Sequence, residues 1–146
     1  MAVDVRVETT IARPRAVVAS VMFDPKNDAA WTSGVKEVHP RTEGRLKKGS
    51  LVERKVRFMR RDFGYEYYVV DADSDRFVEM EVDRPFPMQI RYELEDIAGG
   101  TVARIHARGD ARGFFRIGGP LLGWMVRKNI VKDLAALKDL VEKSTT

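Results

Sequence analysis

Apolar and polar residues alternate over residues 3–11, close to the start of the chain. Val3, Val5 and Val7 are separated by Asp4 and Arg6. Successive side chains of a strand point to opposite faces, so this alternation predicts a half-buried β-strand. Six further stretches have strand character, with the clearest alternation in the fifth of them: residues 35–40, 51–59, 63–72, 77–82, 88–96 and 101–107.

Helical patterns lie on either side of these six stretches. Pro14 suits a first helical turn and Pro25 stops the run, which predicts a short helix between them. A second brief helical turn carries Trp31 and is ended by Gly34. A long helix is predicted to begin near Pro120, where a rotation of about 100° per residue places one group on a broad apolar arc: Leu122, Val126, Ile130, Leu134, Leu137, Leu140 and Val141.

The order of these elements indicates an α+β fold. Six strands in series without an intervening helix favour an antiparallel meander. A seven-stranded antiparallel sheet of this length twists and curls, and the long helix can cover its concave face. The two short helices between the first and second strands would close one end. We therefore expect a curved seven-stranded sheet wrapped around the C-terminal helix, with an interior that can hold a ligand.

Length and composition indicate one globular domain, residues 1–146. The 146 residues contain no cysteine, which excludes a disulfide framework, a thiolate nucleophile and a zinc–thiolate site. The N-terminal residues lack the apolar region of a signal peptide. The longest uncharged apolar run, residues 117–126, is far shorter than the about 20 residues that span a bilayer. We therefore expect a soluble cytoplasmic protein.

Positive charge is concentrated in one part of the chain, although the net charge is only +4. Residues 41–61 carry nine basic side chains, against only Glu43 and Glu53. Such a cluster can attract phosphates or an anionic membrane surface. The same composition is also typical of the solvated rim of a hairpin.

The stretch RRDFGYEYYVV, residues 60–70, partly matches the RNA-recognition signature. An acid replaces the first glycine of that signature, and Glu66 replaces its aliphatic residue. The signature also belongs to a βαββαβ sheet, whereas here three more strands follow before any helix. Nucleic-acid binding is therefore disfavoured. If Glu66 lies outside, the stretch is a strand with Tyr65 and Tyr67 facing inward and Tyr68 facing solvent.

Three stretches carry a resemblance to a known family. VETTIARPRAVVASVMFDPKNDAAW joins a first strand to a short helix, a DP turn and a tryptophan. YYVVDADSDRFVEMEV is a strand, an acidic turn and a strand, and GGPLLGWMVRKNIVKDLAALKDLVEK is similar to a terminal helix. Their order and spacing, over nearly the whole chain, resemble the START-like or helix-grip superfamily (SRPBCC), and within it the polyketide cyclase/dehydrase and lipid-transport group.

The resemblance implies a deep apolar cavity between the sheet and the long helix, holding a lipid or a polyketide-like aromatic molecule. It implies no single reaction, because members carry lipids, bind hormones, act as cyclases or have no known activity. The alternative is that the inward side chains fill a packed core. The candidate ligand-binding residues are Met22, Trp31, Arg54, Tyr65, Tyr67, Met88, Ile90, Tyr92, Leu122, Val126, Ile130 and Asp133.

Two charged residues fall on apolar faces. Alternation places Arg54 on the same face as Val52 and Val56, and Asp133 lies within the apolar arc of the long helix. An isolated charge in a low-dielectric interior is very costly. Three arrangements are open: the two residues pair with each other, Arg54 extends its charged group to solvent, or one of them orients a polar ligand group such as a carboxylate or enolate.

The sequence contains no recognisable catalytic constellation, so catalytic residues stay unassigned. His39 and His106 are the only histidines, and His106 is predicted on the outward face, so we expect neither a metal site nor a cofactor. An enzyme of the cyclase/dehydrase type is an alternative to a binding protein. Its candidate general acids are Tyr65, Tyr67 and Tyr92.

A glycine-rich aromatic segment, RGFFRIGGPLLGWM, leads into the long helix. Beside basic residues, its large apolar side chains suit a transient membrane contact during lipid exchange. A lid packed over the cavity entrance is the interpretation that we favour. The expected partners are therefore a hydrophobic small molecule and, transiently, a membrane, and the oligomeric state stays open. The large apolar residues of the segment are Phe114, Phe115, Leu121, Leu122 and Trp124.

Overall fold

The computed structural model describes residues 2–58, 60–84, 86–110 and 119–144. Its helices are α1 (Arg15–Met22), α2 (Asp28–Trp31) and α3 (Gly119–Ser144), with a 3₁₀ turn at Pro25–Asn27 before α2. The order of elements is the predicted one. The strands are β1 (Ala2–Ile11), β2 (Val35–Pro40), β3 (Leu51–Phe58), β4 (Arg61–Asp73), β5 (Phe77–Val82), β6 (Met88–Ile97) and β7 (Gly100–Asp110).

The seven strands form one antiparallel sheet in the order β1-β7-β6-β5-β4-β3-β2. Strands β2 to β7 pair consecutively, as the predicted meander requires. Strand β1 pairs with β7, from Ala2 opposite Asp110 to Ile11 opposite Thr101. The first strand therefore closes the sheet beside the last one, and the α+β prediction is confirmed.

One strand boundary differs from the prediction. The predicted strands end at residue 59 and begin again at residue 63, but Arg61 is opposite Phe58 and begins β4. Arg60 has a φ of +66°, in the left-handed region. The chain therefore reverses over a very short connection, and the strand ladder continues almost to the tip.

Two irregularities in strand register accompany the curvature of the sheet. One lies between Val35 and Glu37 in β2, and the other lies between Val69 and Asp71 in β4. A bulge places an extra residue in one strand, which bends that strand and increases its twist. The curved sheet then presents a concave face to helix α3.

Helix α3 packs on this face and also covers the free edge of β1. A Glu142 carboxylate oxygen accepts a hydrogen bond from the Ala12 backbone N–H at 2.9 Å. Arg127 donates to the backbone carbonyl of Arg6 at 3.3 Å. These contacts cover a strand edge that would otherwise offer unpaired backbone groups. None of the described helices is long and apolar enough to cross a membrane.

The buried side of α3 is the apolar arc predicted from the sequence. Leu122, Leu134, Leu137 and Val141 are almost fully buried, and Asp133 is buried among them, as its position in the arc indicates. From the opposite side, the inward residues of the strands and of α1 complete the core. Examples are Val3, Val5, Ile11, Val18, Met22, Val52, Val69, Val78, Met80, Leu94, Ala103 and Ile105.

Candidate functional site

A cavity of about 470 Å³ lies between the sheet and the N-terminal half of α3. Strands β3, β4, β6 and β7 supply its floor, and one face of α3 supplies its roof. Four exposed residues, Gly34, Arg57, Asn129 and Lys132, mark its mouth. The lining residues are Thr32, Ser33, Gly34, Arg54, Val56, Arg57, Phe63, Tyr65, Phe86, Met88, Ile90, Tyr92, Ile105, Ala107, Met125, Val126, Asn129, Ile130, Lys132 and Asp133.

Most of these lining side chains are apolar, because the strands present alternate residues to the concave face. Met88, Ile90 and Tyr92 are successive inward positions of β6, and Val126 and Ile130 are one turn apart on α3. Methionine and aromatic side chains adapt to ligands of different shape. This apolar wall can therefore bind a hydrophobic molecule without strict shape selection.

Arg54 is the main charged group on the wall, and it is only 3% exposed. It follows the alternation of β3, whose inward neighbours Val52 and Val56 are also buried. Its Nε and Nη2 atoms donate to Oδ2 of Asp28 at 3.0 and 2.9 Å. The guanidinium charge is therefore compensated inside the protein and does not reach solvent.

Asp28 is fully buried at the first position of α2. The preceding 3₁₀ turn, in which the Asp24 carboxylate accepts from the Lys26 N–H, brings it over the sheet. Besides the two bonds from Arg54, its Oδ2 accepts a hydrogen bond from the Tyr67 hydroxyl at 2.8 Å. Its other oxygen, Oδ1, is buried and has no hydrogen-bond partner among the described residues. One carboxylate oxygen thus holds three donors.

Two tyrosines of β4 contact the same guanidinium in different ways. The Arg54 Cζ atom lies 4.5 Å from the ring centroid of Tyr67, a cation–π contact. Arg54 Nη1 donates to the Tyr65 hydroxyl oxygen at 3.0 Å. Within the part of the chain that the structure describes, the Tyr65 hydroxyl proton has no acceptor. Because Tyr65 lines the cavity, that proton is available to a ligand.

Burial and the neighbouring charges determine the protonation states of Arg54, Tyr67 and Tyr92. Burial raises the pKa of Tyr67 and of Tyr92 above the ordinary phenol value, and the nearby Arg54 guanidinium only partly opposes this. For Arg54 itself burial would lower the pKa, but Asp28 and the surrounding phenols together hold the pKa well above its ordinary value. Near neutral pH the arginine is therefore charged, and Tyr67 and Tyr92 keep their hydroxyl protons.

Asp133 enters the cavity wall from α3 and is held by the loop after α2. Its Oδ1 accepts a hydrogen bond from the Ser33 backbone N–H at 2.6 Å and another from the Ser33 hydroxyl. Burial raises the pKa of Asp133, and the two bonds from Ser33 and the charges of Arg54 and Lys132 oppose that rise. The carboxylate therefore ties α3 to the segment between α2 and β2.

Of the three arrangements left open for Arg54 and Asp133, the structure excludes their pairing with each other. Arg54 forms its ion pair with Asp28, and Asp133 is bound to Ser33. The reason is that α2 places a second carboxylate over β3 and β4, where it also meets the Tyr67 hydroxyl. The arrangement in which Arg54 extends to solvent is excluded too, since the side chain is buried.

Eight of the twelve candidate ligand-binding residues line the cavity: Arg54, Tyr65, Met88, Ile90, Tyr92, Val126, Ile130 and Asp133. The other four, Met22, Trp31, Tyr67 and Leu122, are buried but do not line it. Trp31 packs against Tyr92 with ring centroids 5.5 Å apart, and Tyr67 lies behind Arg54. The alternation gave the correct inner face, and Tyr68 on the outer face is 48% exposed, as predicted.

Asp28 is the residue of this site that the sequence reasoning missed. Its signal was present, because Asp28 stands three positions before Trp31 in the same helical turn and hence on the same face. Phe63, Phe86 and Met125 were also not named as candidates, although they line the cavity. Phe63 and Met125 belong to stretches whose inward face was assigned, and Phe86 follows a proline in a connection.

Other expectations fall outside the cavity or outside the described residues. His39 and His106 lie on β2 and β7, which are five strands apart in the sheet order. Within the described ranges there is no group of three or more His, Cys, Asp or Glu side chains able to hold a metal. Phe114 and Phe115 of the expected lid lie outside the described residues. Trp124 is 57% exposed and does not line the cavity.

Solved structures with similar folds cover almost all of the chain. A START superfamily protein from Mycobacterium smegmatis has a TM-score of 0.83 at 13% identity, covering 97% of this chain and 99% of that one. The Zhui aromatase/cyclase from Streptomyces sp. R1128 has a TM-score of 0.82 at 17% identity, covering 100% and 97%. Ara h 8.0201 has a TM-score of 0.74 at 12% identity, covering 98% and 99%. These likenesses confirm the helix-grip fold.

Sequence comparison identifies the family. No curated protein matches the sequence significantly. The model of a family described as polyketide cyclase/dehydrase and lipid transport matches residues 2–142, which is nearly the whole chain. The START-like resemblance is confirmed, and the chain belongs to the polyketide cyclase/dehydrase and lipid transport family.

Proposed function

We propose that the protein binds a hydrophobic or amphipathic small molecule, a lipid or a polyketide-like aromatic compound, between the sheet and α3. The observation that carries this proposal is the cavity of about 470 Å³ with apolar walls and a few convergent polar groups. Ligand sites in proteins are usually concave, largely apolar and about 300–1,000 Å³ in volume. Family membership supports the same function class.

The volume of the cavity suits a ligand of moderate size. Each ligand methylene that leaves water contributes about 0.8 kcal/mol. Two fused aromatic rings fit well within the cavity, and so does a short acyl chain. The mouth is bordered by polar Asn129 and Lys132, where a polar end of an amphipathic ligand can stay hydrated.

The test is the binding of N-phenyl-1-naphthylamine, an uncharged dye that fluoresces more strongly in apolar surroundings. We expect saturable binding to the wild-type protein at micromolar concentration. Val126→Trp places a large side chain in the cavity and should abolish the signal. Val131→Trp makes the same change at a position of α3 that is 49% exposed, and it should leave binding intact.

Two results would contradict the proposal. The first is no saturable dye binding by a folded wild-type protein, confirmed with a second uncharged aromatic probe. The second is equal loss of binding in Val126→Trp and Val131→Trp, which would place the dye outside the cavity. Circular dichroism of both variants establishes that each is folded.

A second candidate function is cyclisation or dehydration of a polyketide-like substrate in the same cavity. It is favoured by Tyr65, whose hydroxyl accepts a hydrogen bond from Arg54 and keeps its own proton for a substrate oxygen. A phenol so placed can act as a general acid. Product analysis by mass spectrometry with a linear poly-β-ketone thioester separates the two functions, since only an enzyme yields cyclised or dehydrated product. Tyr65→Phe should then abolish turnover while the dye still binds.

Binding of RNA or an anionic surface through residues 41–61 has less support. Four of the basic side chains in this segment lie in ion pairs: Arg41 with Glu53, Arg45 with Asp75, Arg54 with Asp28, and Arg57 with Asp62. A cation that already has an acidic partner adds little to the attraction of phosphates. Binding of a nucleic acid that weakens steeply with salt would revive this alternative.

A further inference from the structure

The charges on the inner wall of the cavity determine which polar groups it can accept. Arg54 carries a positive charge, but Asp28 lies 2.9 Å from its Nη2 atom and cancels that charge. Asp133 adds a second carboxylate on the α3 side of the cavity. Among the described residues these buried groups sum to −1 when Asp133 is ionised and to zero when it is protonated. The inner wall therefore has no surplus positive charge.

A ligand carboxylate would be poorly accommodated at this wall. It would lose its hydration on entering, and a buried charge needs a partner of its own to offset that cost. Arg54 is already paired, and Asp133 would repel a second anion. Arg57 and Lys132 lie at the exposed mouth, where water and salt weaken their attraction, and Arg57 is already paired with Asp62.

An uncharged oxygen is better suited to the same wall. Arg54 directs three of its five N–H groups to Asp28 and Tyr65, and Tyr92 lies beside it as a further hydrogen-bond partner. The Tyr65 hydroxyl offers a further proton into the cavity, and burial keeps Tyr92 in its protonated form. These are hydrogen-bond donors that a carbonyl or hydroxyl oxygen can accept without bringing a charge into the interior.

We infer that the buried polar end of the ligand is an uncharged oxygen acceptor, such as a ketone, an ester carbonyl or a hydroxyl group, and not a carboxylate. Asp28 is then the residue that sets this preference, because it neutralises Arg54 from behind the cavity wall. Tyr65 is the donor that contacts the ligand oxygen. This inference rests on the proposed binding function and makes it narrower.

The test compares two ligands with the same ring system, the ketone 2-acetonaphthone and the carboxylate 2-naphthoate. The affinity of each is measured by competition with N-phenyl-1-naphthylamine for the wild-type protein, near neutral pH and at physiological ionic strength. We expect the ketone to bind about tenfold more tightly or better, because it brings no charge into the site. Equal or tighter binding of 2-naphthoate would overturn the inference, and the dye signal would still support the cavity as a binding site.

Two variants and one control variant identify the residues that set the preference for an uncharged oxygen. Tyr65→Phe should weaken 2-acetonaphthone about fivefold, the usual value of one hydrogen bond, whereas Tyr68→Phe on the outer face of β4 should not. Asp28→Asn leaves the Arg54 charge uncompensated and should shift the preference toward 2-naphthoate. An unchanged preference in a folded Asp28→Asn protein would overturn the role of Asp28. If that variant does not fold, the wild-type ratio and the two tyrosine variants still decide the question. If the dye does not bind at all, the proposed function and this inference both fail.

Discussion

The two halves of helix α3 cover different interiors, although one apolar arc runs through both. In the C-terminal half, Leu134, Leu137 and Val141 are each at most 1% exposed and belong to the packed core. In the N-terminal half, Val126 keeps part of its surface and, with Ile130, faces the cavity. The same helical pattern therefore covers a filled core at one end and an open site at the other.

Strand β6 shows the same difference on the opposite wall. Its inward residues Met88 and Ile90 are half-buried and line the cavity, whereas Leu94, further along the strand, is buried in the core. At the packed end, α1 lies against β6 and α3, and its first residue, Arg15, pairs with Asp96 at 3.0 Å. A short helix thus fills the space at one end of the sheet. At the other end the interior is open, and the buried ion pair of Arg54 with Asp28 lies between the cavity and the core.

Removing the carboxylate of Asp28 is the change with the largest expected effect on stability. Asp28→Ala leaves Arg54 buried without its carboxylate, and breaking such a pair costs about 3–5 kcal/mol of unfolding free energy. Equilibrium unfolding in urea measures the loss. Replacing both partners by apolar residues, Asp28→Leu with Arg54→Met, should recover much of it, because no unpaired charge remains.

The control for this prediction is an exposed ion pair on the same sheet. Arg57 and Asp62 approach within 2.8 Å, but both side chains are more than half exposed. Asp62→Ala should therefore change the urea midpoint very little. If Asp28→Ala also left the midpoint unchanged, the buried ion pair would contribute no more to stability than the exposed one.

The difference between a filled and an open interior can be measured with one kind of substitution. Met80 in β5 is fully buried, so Met80→Ala should cost about 3 kcal/mol. Met88 in β6 lines the cavity and keeps part of its surface, so Met88→Ala should cost about 1 kcal/mol. Unfolding of both variants in urea provides the measurement. Equal losses would mean that the cavity end is as tightly packed as the core.

Sequence patterns predicted the faces of the elements well, because each face follows from a local repeat. The inward positions of β6 and the arc of α3 were both correct, and so was the orientation of Tyr65, Tyr67 and Tyr68. The strand bounds were correct within a few residues. Binary patterning depends only on the spacing of residues within one element, so these features needed no knowledge of the partners across the fold.

The patterns could not distinguish lining residues from packed ones. Met22 and Leu122 have the same apolar character as Met88 and Val126, but other elements cover them. Pairing across the fold was equally inaccessible, since Arg54 and Asp28 are 26 residues apart and meet only once α2 packs over β3. Whether an inward side chain faces a cavity depends on what stands opposite, and a local repeat carries no such information.

The smallest predicted effect is the pH dependence of stability that Asp133 contributes at the cavity end of α3. Burial raises its pKa above the ordinary value of 3.8, so the folded state binds the proton more tightly than the unfolded state does. This contribution to stability therefore falls as pH rises from below 3.8 through the raised pKa. Asn can still accept the Ser33 N–H bond without a buried charge.

The stability of Asp133→Asn relative to wild type should thus increase with pH across this window in urea unfolding. Asp139→Asn, at an exposed position of α3, is the control for loss of one charge. A difference between Asp133→Asn and wild type that decreases with rising pH would contradict this prediction. It would mean that the Ser33 hydrogen bonds outweigh the cost of burying the charge, and that the ionised Asp133 carboxylate stabilises the cavity end of the helix.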